Sequence, residues 1–325
     1  MKKTFVALAA VAAAGLALAG CSSSSPSPSG SASAAADPET LVLLMTPSDE
    51  KSDLQAQGED IASVLSEILG IPVEVSVPDD YAAVVTALGA GQADIAMTAP
   101  AVTVQSLDQG VATPILQVTR EGSRSYVTQW FTNDPDTYCL TEVVEKDGLL
   151  FCNGVDEAEY GDEVGGEALA KITPDTPISF VDSGSTSGYK FPATQLQLLG
   201  VIDAPEDLTA ATFAGGHPAS VLAVARGEAT VGTSYDDARI QALPEDPAVA
   251  ELVVFAWSTP IPNDGVVVST ALSPELTERI KQAFIEAIDI EPAKTAFYDA
   301  YEVDGFDEAD LEALDVVRQV GENFN

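Results

Sequence analysis

Between a short apolar run, Ile178 to Val181, and a helix-like pattern through Thr194, Leu196, Leu198 and Leu199 lies Asp182-Ser183-Gly184-Ser185-Thr186-Ser187-Gly188-Tyr189-Lys190-Phe191-Pro192. This reads as a strand, a tight turn and a helix start. The first backbone N–H groups of a helix have no acceptor within it and lie at the positive end of its dipole. With the hydroxyls of Ser185, Thr186 and Ser187 added, the turn is a cage of neutral donors suited to an oxyanion. Helix capping alone also accounts for serine and threonine at such a position, so the anion reading needs partners. Three candidates sit in comparable turns. His217 follows Gly215-Gly216 and precedes Pro218, a residue that fits the first helical position. Asp236 opens another helix, where capping is the alternative role. Asp264 ends the turn Pro260-Ile261-Pro262-Asn263-Asp264, where an Asx-turn is the alternative.

Catalytic chemistries fit these residues less well. Asp182-Ser183-Gly184 has the aspartic-protease triplet, but no second copy supplies the paired carboxylate. Gly184-Ser185-Thr186-Ser187-Gly188 has the glycine spacing of a nucleophile elbow, with Thr186 where serine is expected. The glycine-lysine-hydroxyl ending of a P-loop is missing. His217 is the sole histidine, and no motif gives it a partner. A metal site would need more ligands than His217 and the cysteine pair readily supply. Binding without catalysis, metal or cofactor is therefore the expectation.

The elements that must position these groups follow a regular pattern. Leu41 to Thr46 reads as a buried strand, with Pro47-Ser48-Asp49 as turn and cap. Leu54, Ile61, Val64, Leu65, Ile68 and Leu69 keep helical spacing up to Gly70, and Val73, Val75 and Val77 alternate as a strand. Asp79 and Asp80 precede a helix over Val84, Val85 and Leu88; Ala93 to Met97 and Ile115 to Val118 are strand-like. Strand-helix alternation predicts an α/β fold with mainly parallel sheets covered by helices. Ligands bind such sheets at the carboxyl ends of the strands, where the loops Thr46 to Ser48, Asp79 to Tyr81 and Thr98 to Pro100 fall. After a β-prone run from Ser125 to Phe131, residues 133–166 break the pattern with acids and glycine. Alternation resumes at Ile178 and continues through the helix from Pro274 to Ile288.

The N-terminus, Met1-Lys2-Lys3, then an apolar run from Phe5 to Leu18, then Leu18-Ala19-Gly20-Cys21, is an export signal too short to span a bilayer as a mature helix. Its ending resembles the lipobox of bacterial lipoproteins, which implies cleavage after residue 20 and lipid on Cys21. Residues 21–38 are a Ser/Pro/Ala-rich tether, uncharged apart from Asp37 at its end and too poor in apolar groups to order itself. In an exported chain the remaining cysteines, Cys139 and Cys152, are most simply a disulfide stapling the insertion of residues 133–166. The formal charge of −37 opposes nucleic-acid binding and repels anions at long range, so local donors in a closed cleft must outweigh it.

The turns taken together resemble a family: the substrate-binding lipoproteins of phosphonate, phosphite and phosphate ABC importers. The matching pieces, in the family's order, are Asp80-Tyr81, Gly91-Gln92-Ala93-Asp94-Ile95-Ala96 with Ala99-Pro100, Asp182 to Pro192, Phe213 to Val224, Gly227 to Asp236 and Pro260 to Asp264, covering roughly Leu41 to Ala287. The resemblance implies a two-lobed periplasmic binding protein of type II-like fold. Lobe one would be residues 39–122 with 257–325, and lobe two residues 123–256. Ser185, Thr186 and Ser187 would hold a small phosphorus oxyanion between the lobes, His217 and Tyr81 would contact it, Tyr126 would line the opposite side, and Asp236 and Asp264 would stand near it. An ionised carboxylate only accepts hydrogen bonds, so these acids would select a ligand carrying O–H or an amine over sulfate. The protein is expected to be an extracytoplasmic, lipid-anchored monomer that delivers its ligand to a membrane permease, with no nucleic-acid partner. A receptor for another small anion, or an exported enzyme acting on phosphate esters, is the alternative. Acids in the first loop, Thr46 to Lys51, Ala99 in place of a usual glycine, and the cysteine insertion depart from the family pattern.

Overall fold

The computed structural model describes residues 37–159 and 162–324. The export signal, Cys21 and nearly all of the tether lie outside the described residues. In chain order the strands are β1 (Leu41–Met45), β2 (Val73–Ser76), β3 (Ile95–Thr98), β4 (Ala112–Thr119), β5 (Ser125–Tyr126), β6 (Thr128–Thr132), β7 (Val144–Lys146), β8 (Leu149–Phe151), β9 (Ile178–Phe180), β10 (Thr212–Phe213), β11 (Val231–Tyr235), β12 (Val253–Trp257), β13 (Ile261–Pro262), β14 (Gly265–Ser269) and β15 (Gly305–Glu308).

They form two large sheets, one per lobe. The first has the order β15-β4-β14-β3-β1-β2. Strands β2, β1 and β3 pair in parallel, while β14 returns antiparallel between β3 and β4, and β15 closes the edge antiparallel to β4. Side chains alternate across a strand, and β1 shows both buried faces. Leu41, Leu43 and Met45 pack with Leu54, Ile61 and Leu65 of helix Lys51–Leu69 and with Phe284 and Phe297 near the C-terminus. Leu44 on the other side meets Val84, Val85 and Leu88 of helix Tyr81–Gly89. A sheet covered on both faces requires such near-continuous apolar strands.

The second sheet has the order β10-β9-β11-β6-β12-β8-β7. Trp130 and Phe255 face one side, with Leu169 and Leu196; Phe131 and Val254 face the other, with Val221 and Val224. The cysteine insertion is built into this sheet: β8 runs parallel to β12 and β7 folds back on β8. Cys139 and Cys152 are joined in a disulfide, with Cα atoms 5.7 Å apart. Arg239, whose side chain is fully buried, donates to the Leu150 and Leu252 carbonyls at 2.8 Å and pairs with Asp237 at 2.7 Å, so it ties the insertion to the turn after β11. Closing a loop of this length stabilises a fold by roughly 3 kcal/mol. Denaturant unfolding of a Cys139→Ser, Cys152→Ser double variant is expected to show a loss of about that size.

The chain crosses between lobes at β5 and β13, which pair with each other: Tyr126 lies opposite Ile261. The end of the chain touches both lobes. Arg318 of helix Asp315–Gly321 pairs with Asp108 of the first at 3.1 Å, and Asn323 donates to Thr194 of the second at 3.1 Å.

Candidate functional site

Each lobe sends helix starts toward the other. In the first, Asp80 caps helix Tyr81–Gly89 by accepting from the Ala83 N–H at 2.8 Å, and helix Pro100–Asp108 begins directly after β3. In the second, the turn after β9 is fixed by its own polar groups. Asp182 accepts from the Gly184 N–H at 2.6 Å, and Ser185 from the Gly188 N–H at 3.1 Å. One π-helical turn, Thr186–Lys190, then runs into helix Phe191–Leu198. Gly188 is required by space: a Cβ there would overlap the Val181 side chain. Helix His217–Ala225 supplies the fourth start.

The lobes are closed on one another. The His217 N–H donates to the Ser48 carbonyl at 2.9 Å, and the Ala101 N–H donates to Thr186 Oγ1 at 2.9 Å. At Gly184 a Cβ would lie 2.6 Å from the Tyr81 Cβ of the facing lobe. Between them is a chamber with about 40 Å³ of space that a water centre can reach. One water needs roughly 10–15 Å³ on that measure, so the chamber suits a ligand of a few heavy atoms.

Tyr81, Tyr126, Ser185, Thr186, Ser187, His217 and Asp264 all line this chamber. Asp236 is not among the lining residues; its neighbour Tyr235 is. Tyr235 is the last residue of β11 and shares a face with Thr233, which donates to the Gly188 carbonyl at 2.8 Å; Asp236 lies in the turn beyond the strand. The carboxylate-selector expectation changes accordingly. Asp236 does not reach the chamber wall, and Asp264 is already paired with Arg120 at 2.6 Å.

Arg120, Asp49, Tyr235, Tyr301 and Glu302 line the chamber as well, and none was a candidate from sequence. Arg120 had one available signal: it is one of 14 basic residues against 51 acids, at the expected lobe crossing. Tyr301 and Glu302, at the end of helix Ala293–Tyr301, carry no motif. Tyr301 hydroxyl donates to the Thr46 carbonyl at 2.9 Å, which holds the first loop in place.

The chamber is electrostatically mixed. Burial pushes the phenols of Tyr81, Tyr126, Tyr235 and Tyr301 up, so they stay neutral donors. Burial also raises the carboxyls of Asp49 and Glu302. His217 is buried, and burial, helped by the Arg120 charge, lowers its pKa to about 3. Its Nδ1 accepts from the Tyr235 N–H at 3.2 Å, so the neutral ring carries its proton on Nε2, as a donor.

This burial has a consequence for stability. The folded pKa of about 3 lies below the unfolded value of ~6.5. Between the two the unfolded chain binds more protons, so this contribution is complete above pH ~6.5 and is lost as pH falls toward ~3. The raised carboxyls act in the opposite sense, so the measurement is a difference. Between pH ~4 and ~6, unfolding free energy of the wild type is expected to rise more steeply than that of His217→Asn, by about 1.4 kcal/mol per pH unit.

Two α/β lobes joined by paired crossing strands and closed over a small polar chamber at helix N-termini have the architecture of a two-lobed solute-binding protein. Residues 43–314 match the family described as ABC transporter, phosphonate, periplasmic substrate-binding protein. The chain belongs to this family, whose members are substrate-binding receptors of ABC transporters. It is 28% identical over 283 residues to the phosphate-import protein PhnD of Mycolicibacterium smegmatis, covering 84% of this chain and 77% of that protein. Its fold is similar to PhnD1 from Prochlorococcus marinus in complex with methylphosphonate, with TM-score 0.70 at 17% identity over 89% of this chain and 99% of the other. It is also similar to a binding protein component of an ABC phosphonate transporter from Pseudomonas aeruginosa, with TM-score 0.68 at 18% identity over 87% and 85% of the two chains.

Proposed function

We propose that this receptor takes inorganic phosphate, or a phosphonate as small as methylphosphonate, into the interlobe chamber. Ser185, Thr186, Ser187 and the first N–H groups of their helix grip the oxyanion. His217 Nε2, Tyr81 and Tyr126 donate to it from the sides. A P–O–H is turned toward the wall that holds Asp264 and Glu302. The observation that carries this reading is the composition of the chamber wall: one cation, Arg120, and three acids, Asp49, Asp264 and Glu302, among many neutral donors. A tetrahedral anion that still bears a proton can donate to such a wall, whereas sulfate cannot, and a buried acceptor left unpaired costs ~1–3 kcal/mol. The M. smegmatis relative, named for phosphate import, supports phosphate as the first ligand to test.

Calorimetry with phosphate, methylphosphonate and sulfate tests the proposal. Phosphate or methylphosphonate should bind at least ~10-fold more tightly than sulfate; equal affinities would refute it. We also infer that Cys21 carries the lipid that holds the receptor, as a monomer, at the membrane beside its permease. The support is the Leu18-Ala19-Gly20-Cys21 sequence. Cys21→Ser should release the protein into the soluble fraction.

A further inference from the structure

Among the described residues, the one cation lining the chamber, Arg120, is committed to an acid. Arg120 Nη2 meets Asp264 Oδ2 at 2.6 Å, with the side chains 17% and 19% exposed. Arg120 Nε donates to the Tyr301 carbonyl at 2.7 Å, and the guanidinium lies over the Tyr126 ring, 5.3 Å from its centroid. The arginine is therefore fixed from three directions: by the turn before β14, by the end of helix Ala293–Tyr301, and by the crossing strand β5.

Without that guanidinium, Asp49, Asp264 and Glu302 would face a small closed space with no positive charge among its lining residues. Carboxylates so placed accept hydrogen bonds only, and an ammonium group is the ligand substituent that best satisfies them. With Arg120 in place, an ammonium entering the same space meets a fixed like charge. Like charges held close in a small buried space repel one another, and Asp264 already gives one oxygen to the arginine.

We propose that Arg120 is a specificity-determining residue that makes the receptor reject zwitterionic aminoalkylphosphonates, by occupying the acids that would otherwise bind their ammonium group. This rests on the phosphorus-oxyanion reading above. Removing the guanidinium exposes a site for amine-bearing ligands.

The test uses 2-aminoethylphosphonate and its isostere propylphosphonate, which carries a methyl group in place of the ammonium, so that size and charge separate, with phosphate as reference. The wild type should bind propylphosphonate about 100-fold more tightly than 2-aminoethylphosphonate. In Arg120→Gln this ratio should collapse or invert, while phosphate weakens by about 10-fold or more. Arg120→Lys, which keeps a charge, should retain the rejection. Equal binding of the two isosteres by the wild type overturns the proposal without any variant, as does an Arg120→Gln protein with the wild-type ratio. Failure of the wild type to bind phosphate, methylphosphonate or propylphosphonate would instead sink the ligand reading itself.

Discussion

Gly184→Ala is expected to weaken ligand binding by about 100-fold while leaving the unfolding free energy of the ligand-free protein nearly unchanged. The reason is where the added methyl falls. Its Cβ would lie 2.6 Å from Tyr81 Cβ, an atom tied to the backbone at a helix start, so no rotamer change can move it away. Gly184 belongs to the turn after β9 and Tyr81 to the facing lobe, so the collision exists only when the lobes are closed. Overpacking of this kind costs ~1–3 kcal/mol. Because apparent affinity scales with the population of the binding-competent form, the upper end of that range is about a 100-fold loss. Small-angle scattering supplies an independent readout: saturating phosphate should compact the wild type and fail to compact Gly184→Ala. A variant that binds normally, or one that unfolds in the absence of ligand, would show that the contact is not a closure contact.

The second large effect is expected at Thr186→Val, with a 10- to 100-fold loss of affinity. Valine keeps the shape and removes the hydroxyl. Thr186 Oγ1 accepts the Ala101 N–H from the opposite lobe at 2.9 Å and lies in the ligand-facing wall. In the closed form the variant leaves that N–H buried without an acceptor, at ~1–3 kcal/mol. In an open form water satisfies it, so the penalty falls on closure. Ser185→Ala provides the contrast. Ser185 caps its own turn by accepting from the Gly188 N–H, and loss of a cap costs about 1 kcal/mol of folding stability. Calorimetry and denaturant unfolding on both variants should therefore show affinity loss without instability at Thr186, and affinity loss together with instability at Ser185.

Residues gathered by local patterns were legible before any fold was known. The turn Asp182 to Pro192 announces strand, turn and helix within a dozen residues, and its hydroxyls line the chamber. His217 was visible because glycine and proline frame it. The apolar strands β1, β3, β12 and β14 are buried along their whole lengths or nearly so, and such runs declare themselves in sequence. The insertion was harder. Its cysteines pointed to a staple, but strand β8 joins the sheet through backbone pairing with β12 on one side and β7 on the other, and strands of three residues leave no periodic signature.

What the sequence determined by itself was chemistry and order: strands and helices in α/β alternation, neutral donors at helix starts, and a histidine among them. These follow from local rules, since helix starts, turns and strand alternation are fixed within a few residues. What only the tertiary structure decided was the charge of the site. Arg120, Asp264 and Glu302 are far apart in the chain, yet the structure sets them around one small chamber and pairs the first two. The wall takes Tyr235, the last residue of β11, and not Asp236 of the turn that follows. Long-range ion pairs and the facing of single side chains depend on how lobes close, and no local spacing encodes that.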